Sequence, residues 1–214
     1  MTEKSSIKIF DENYNEVLKR IDEACETVGK KREDIILLAA TKTVPVEVVN
    51  YAISKGIKYI GENRVQEFLS KEDELLKDVH RHFIGHLQTN KVKDIVGRVE
   101  MIESVHSEKL ASVIGRLSVE RGIVTDVLLE VNIGNEESKS GFLPEELYDS
   151  VLKIAEIPGI RVRGLMAIPP ICEKKSEITD FFSRMNKLFI DISDKNIDNI
   201  DMVCISMGMS SDYY

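Results

Sequence analysis

Short, nearly continuous apolar runs alternate along this chain with stretches in which apolar residues recur every three or four positions. The first such stretch places Phe10, Tyr14, Val17, Leu18, Ile21, Ala24, Cys25 and Val28 on one helical face, with Gly29 as its stop. Beyond it, apolar runs at 35–43, 57–61, 81–85, 99–105, 125–133, 160–168 and 201–207 predict seven strands. Between them, Val65, Phe68, Leu69, Leu75 and Leu76 form one helical stripe, and Ile178, Phe181, Phe182, Met185, Leu188 and Phe189 form another. Pro45 ahead of Glu47, and Pro144 ahead of Glu145 and Glu146, predict helix starts: proline suits the first turn and acids suit the positive end of the helix dipole.

Strands alternating with helices make a parallel sheet with helices outside it, either a (β/α) barrel or an open doubly wound sheet. No Gly-x-Gly-x-x-Gly follows the first strand, and polar residues end nearly every strand instead of flanking one switch point. The expectation is therefore an α/β fold, a TIM-type (β/α) barrel with an extra N-terminal helix, forming a single domain over 1–214. Such a barrel wants eight strands, and seven are counted here.

Composition narrows the partners. A net charge of −8 and a pI near 5.2 provide no global field for nucleic acid or anionic lipid. The apolar runs fall short of a membrane span, and residues 1–10 mix charge and polarity with no signal-peptide core. Cys25, Cys172 and Cys204 are odd in number and far apart, which suits a reducing cytoplasm and argues against disulfides or a cysteine zinc site.

In a closed barrel the carboxyl ends of the strands share one rim, where the chemistry of this architecture sits. Here they offer Lys42, then Glu62 and Asn63, then His86 with Gln88 and Asn90, then Ser104 and His106, then Asn132, then Met166 and Pro169, then 206–210. Lysine is the side chain that forms Schiff bases with aldehydes. Lys42 ends the first apolar run; Lys139, on a polar loop, is read as solvated. Gly208 between Ser206 and Ser210 reads either as a phosphate cradle or as a tight turn. Asn63 is suited to contacting a ring substituent of a ligand or to capping the following helix. His80, His82 and His86 lack a carboxylate or cysteine to complete a metal set, so no metal is expected.

Five motifs in order carry a resemblance: Leu37-Leu38-Ala39-Ala40-Thr41-Lys42, Gly61-Glu62-Asn63-Arg64-Val65-Gln66-Glu67, the segment from His82 to Lys91, Gly164-Leu165-Met166, and Ser206-Met207-Gly208-Met209-Ser210. From about residue 35 to residue 214 the chain resembles the pyridoxal-phosphate homeostasis proteins, or proline synthase co-transcribed family, relatives of the alanine racemase N-terminal barrel. The resemblance implies a barrel that holds pyridoxal 5′-phosphate (PLP) as a Schiff base on Lys42. It places Ser206, Met207 and Gly208 at the phosphate and Asn63 near the ring. It also implies a non-catalytic carrier that buffers the cofactor or delivers it to PLP-dependent apo-enzymes, and a monomer is expected. Family members continue with a strand of Val-Arg-Ile-Gly-Thr type, whereas this chain ends at Ser211-Asp212-Tyr213-Tyr214, so a truncated C-terminus lacking the eighth strand is expected. Two rivals remain: an amino-acid racemase, which needs a second acid/base, and a PLP-free Schiff-base aldolase, which usually carries its lysine on a late strand.

Overall fold

The first helix begins seven residues ahead of the stripe read from Phe10 and ends where that stripe predicts. In the computed structural model, which describes residues 3–172 and 174–210, helix α1 covers Glu3–Val28 and stops at Gly29, whose φ of 68° suits a residue without a Cβ. The chain forms two compact units with a boundary between Arg81 and His82.

The first unit holds α1, β1 (Leu38–Ala40), α2 (Val46–Ser54), β2 (Tyr59–Glu62) and α3 (Val65–Lys71). Strands β1 and β2 pair in parallel, Leu38 with Tyr59 and Ala40 with Gly61. Val49, Ala52, Ile53, Ile57, Ile60, Leu75 and Val79 form the core of this unit, and Phe10 and Tyr14 of α1 pack against it. Tyr51 of α2 meets the Phe10 ring edge-on at 6.0 Å and donates its hydroxyl to Asp11 at 2.8 Å.

Three expectations are corrected in this unit. The first strand is shorter than the apolar run 35–43. A 3₁₀ turn at Arg32–Asp34 takes up the chain before it, and Val44 N–H donates to Thr41 O in a tight turn that removes Lys42 and Thr43 from the strand. Pro45 precedes α2 as its N-cap, one residue ahead of the helix. In the stripe of α3, Val65 and Phe68 are buried, while Leu69 is exposed.

Strand β3 (His80–Phe83) starts in the first unit, where His80 N–H donates to Lys58 O, and ends in the second. There its His82 and Phe83 align with Met101 and Ile102 of β4 (Met101–Val105). Helix α4 (Glu108–Glu120), β5 (Thr125–Glu130), α5 (Leu147–Ala155), β6 (Ile160–Met166), α6 (Lys175–Ser193) and β7 (Ile200–Ser206) complete the second unit. All its strand pairs are parallel and follow chain order. Phe83, Ile102, Val127, Leu129 and Leu165 are fully buried, as strands covered on both faces require. Ser107 caps α4, its hydroxyl accepting from Leu110 N–H at 3.2 Å. Helix α5 starts three residues beyond Pro144, which lies in a preceding turn. Seven parallel strands alternating with helices make this an α/β chain of TIM-barrel type with seven strands among the described residues.

Gly164 sits where the β6 registers with β5 and β7 both shift, at a φ of 149°. A Cβ there would lie 1.8 Å from Cys204 O, a backbone atom that cannot swing away. Gly164→Ala is expected to lose at least about 3 kcal/mol in urea unfolding, whereas Gly122→Ala, with a positive φ but open space around it, loses only about 1 kcal/mol. Equal losses at the two sites would contradict the packing argument.

Candidate functional site

The carboxyl ends of β1 and β2 carry the polar groups of the first unit. Lys42 lies in the turn after β1 with its side chain exposed, and it makes no ion pair among the described residues. Thr43 follows at a φ of 62°, a left-handed conformation that costs a β-branched residue about 1–3 kcal/mol.

Beneath this turn lies a buried ionic network. Lys71, the last residue of α3, is 9% exposed and donates to Glu67 Oε1 at 2.6 Å, to Glu62 Oε1 at 3.2 Å and to Thr41 O at 3.0 Å. Thr41 Oγ1 donates to the same Glu62 oxygen at 2.7 Å, and Thr43 N–H donates to Glu67 Oε1 at 2.5 Å. The hydrogen bond from Lys71 is the chief cause that holds the Glu67 carboxyl below its usual range; burial opposes it, and the bond from Thr43 N–H lowers the pKa further. Burying such charges is tolerated only when they satisfy one another, and deleting one partner typically costs about 3–5 kcal/mol.

Asn63 follows Glu62 with its Oδ1 buried and without a hydrogen bond among the described residues. It does not cap α3, whose N-cap is Arg64. Its acceptor is therefore available to something else.

In the second unit the carboxyl ends of β3, β4 and β5 bring His86, Ser104, His106 and Ser140 together. Ser104 Oγ donates to Gly85 O at 2.5 Å, and His106 Nδ1 lies 3.2 Å from Ser104 O. The His86 and His106 rings stack at 4.5 Å, and Ser140 Oγ is 3.1 Å from His86 Nδ1. Burial is the main cause that lowers the His106 pKa, and the neighbouring His86 adds to it. Asn132 pins the next loop by accepting from Glu136 N–H at 3.1 Å and donating to Glu136 O at 2.9 Å. Lys139 is tied down there: its ammonium lies 2.7 Å from Glu136 Oε2 and 3.4 Å from Ile168 O.

Ser206 ends β7, its carbonyl accepting from Ala167 N–H at 3.1 Å. Beyond it the backbone turns through Met207 and Gly208, the latter at a φ of 89°. The N–H groups of Met207 and Gly208 have no hydrogen-bond partner among the described residues. Ser210 is exposed, and Ser211, which follows it, lies outside the described residues.

His80, His82 and His86 do not converge. His80 stacks on Tyr59 at 4.4 Å, and His82 Nδ1 sits 2.6 Å from the buried carboxylate of Glu103. Burial, together with the nearby Glu103 charge, pushes the Cys204 thiol up to about 11, which keeps it protonated and poorly nucleophilic at neutral pH.

Lys71 did not stand out in the sequence, and Glu62 and Glu67 were singled out only as a strand-end residue and as part of a motif, not as its partners. The signal was present: Lys71 lies three residues after Phe68 and six after Val65, on the buried stripe, and four after Glu67, the spacing of a helical ion pair.

With this geometry in hand, likeness to known proteins becomes informative. Residues 13–214 match the family described as alanine racemase, N-terminal domain. The chain is 42% identical to the pyridoxal phosphate homeostasis protein of Aquifex aeolicus over 94% of this chain and 88% of that protein. It is 37% identical to the protein of the same name from Pseudomonas aeruginosa, over 94% of this chain and 85% of that one. PipY of Synechococcus elongatus, solved with PLP bound, superposes with a TM-score of 0.77 at 27% identity, covering 90% of each chain. The chain therefore belongs to the alanine racemase N-terminal domain family, and within it to the pyridoxal phosphate homeostasis proteins. Among the described residues no helix is long and apolar enough to cross a membrane.

Glu130, the last residue of β5, is an acid whose protonation the fold controls: burial pushes its carboxyl up to about 7. The folded chain keeps this proton to about pH 7, while the unfolded chain releases it near the ordinary value of 4.5. Stability therefore falls as pH rises across that window and levels off above it. Glu130→Gln is expected to gain on the parent by on the order of 1–3 kcal/mol between the two ends of the window in urea unfolding. Parallel stability curves would contradict a burial-shifted acid.

Proposed function

We propose that this protein binds pyridoxal 5′-phosphate covalently through Lys42 and holds it in reserve for PLP-dependent apo-enzymes, without turnover of its own. The observation that carries this reading is the state of the two lysines at strand carboxyl ends. Lys42 offers an exposed amine with no ion pair among the described residues, while the Lys139 ammonium is engaged by Glu136 and the Ile168 carbonyl. An amine without such partners, once it has lost its proton, has its lone pair available to attack a carbonyl.

The remaining groups suit the rest of the ligand. Met207 and Gly208 carry backbone N–H groups without partners among the described residues, on a glycine turn that lets an anion approach closely. Ser206 adds a hydroxyl there. The buried, unpartnered Oδ1 of Asn63 accepts a hydrogen bond from a ring substituent. When bound, PLP supplies an aldehyde for amine capture and a ring that withdraws electrons. This chain's residues bind and orient it.

The names of the relatives favour storage over catalysis, since both curated relatives cited above are called homeostasis proteins. Three free cysteines fit a reducing cytoplasm as its location. The working form in this proposal is a monomer, with 1–214 acting as one PLP-binding domain.

Addition of PLP is expected to give a new visible absorbance band, which borohydride abolishes while adding the pyridoxyl mass to the Lys42 peptide. Lys42→Ala removes both signals, Lys139→Ala neither. Gly208→Val, which blocks the anion's approach, weakens PLP binding about tenfold or more. Attachment at any other lysine would refute the proposed site. Lys42-dependent racemisation of L-alanine by the folded protein would replace storage with catalysis.

A further inference from the structure

A single ion pair grips both peptide groups that flank Lys42. The carbonyl of the preceding peptide, Thr41 O, accepts from Lys71 Nζ at 3.0 Å. The N–H of the following peptide, on Thr43, donates to Glu67 Oε1 at 2.5 Å. Lys71 and Glu67 are themselves joined at 2.6 Å, one helical turn apart on α3, and Glu62 braces Lys71 from the end of β2 at 3.2 Å.

Packing alone does not call for this arrangement. Position 71 shares its helix face with Phe68, which is 1% exposed, and an apolar side chain there would avoid the desolvation of three charges. What the ionic arrangement adds is a hold on backbone that would otherwise relax. Thr43 is β-branched and sits at a φ of 62°; rotation to an ordinary φ would turn the peptide after Lys42 and swing its side chain away.

We infer that Lys71 is a positioning residue for Lys42: acting through Glu67 and Thr41, it fixes the peptide on each side of that lysine and so aims its amine. The inference rests on the proposed role of Lys42 and adds how the fold prepares that amine.

The test uses the full chain with PLP as the probe. It follows borohydride-trapped pyridoxyl mass on the Lys42 peptide over time, and separately amide hydrogen exchange at Thr43 without PLP. Lys71→Met and Glu67→Gln are expected to slow capture at Lys42 roughly ten- to a hundred-fold and to speed exchange at Thr43. Adding Thr43→Gly to Lys71→Met is expected to recover much of the rate, because glycine adopts a positive φ without a clamp. A purely structural contribution gives no such rescue. The inference is overturned if Lys71→Met captures PLP at the parental rate with unchanged Thr43 exchange, or if Thr43→Gly restores nothing. Should Lys71→Met fail to fold, Glu67→Gln decides by the same criteria, since it leaves Lys71 paired with Glu62. If the parent chain never labels at Lys42, the PLP reading fails, and Thr43 exchange alone decides whether the clamp exists.

Discussion

Lys71 is a cation buried between two carboxylates, at the point where α3 ends against the carboxyl ends of β1 and β2. Lys71 and Glu62 are buried and Glu67 is part-buried, so each charge is stabilised by its partners and the three hold one geometry. That geometry reaches the backbone on both sides of Lys42, one residue of which is held in a conformation it would not otherwise choose. The placement of the Lys42 amine is thus tied to the electrostatics of a helix that presents no side chain to the cofactor in the proposed arrangement.

The second unit supplies a contrasting environment. Its strand ends are crowded with hydroxyls, amides and imidazoles that largely satisfy one another, as Asn132 does with the Glu136 backbone and Ser104 with Gly85. Two of its part-buried titratable groups are shifted toward their neutral forms, Glu130 raised to about 7 and Cys204 to about 11. The turn at Met207 and Gly208 leaves backbone donors without partners among the described residues. An environment of this kind is suited to anchoring an anionic tail and poorly supplied with activated nucleophiles, which agrees with a protein that stores a cofactor.

Much of the architecture was legible in the chain, because a strand buried on both faces must read as an apolar run and an amphipathic helix must show its stripe. All seven runs became parallel strands, and Gly29 ended α1 as a left-handed residue. Boundaries were less legible: 35–43 is uniformly apolar up to Thr41, yet hydrogen-bonded turns at both ends leave only Leu38–Ala40 as β1. Periodicity also failed on α3, where Leu69 is exposed and Lys71 buried. A pattern that counts lysine as polar has no means of placing one inside, because its burial depends on Glu62 and Glu67 reaching it in space. The family resemblance directed attention to Lys42, Asn63, Ser206, Met207 and Gly208, but the orphaned acceptor of Asn63 and the clamp around Lys42 emerge only from coordinates.

A crystal structure of the chain soaked with pyridoxal 5′-phosphate tests the central claim most directly. The account predicts continuous density between Lys42 Nζ and the cofactor, with the phosphate against the Ser206, Met207 and Gly208 turn and the Lys71–Glu67 pair unchanged beneath. Density joined to another lysine, or a phosphate lodged away from that turn, would contradict it.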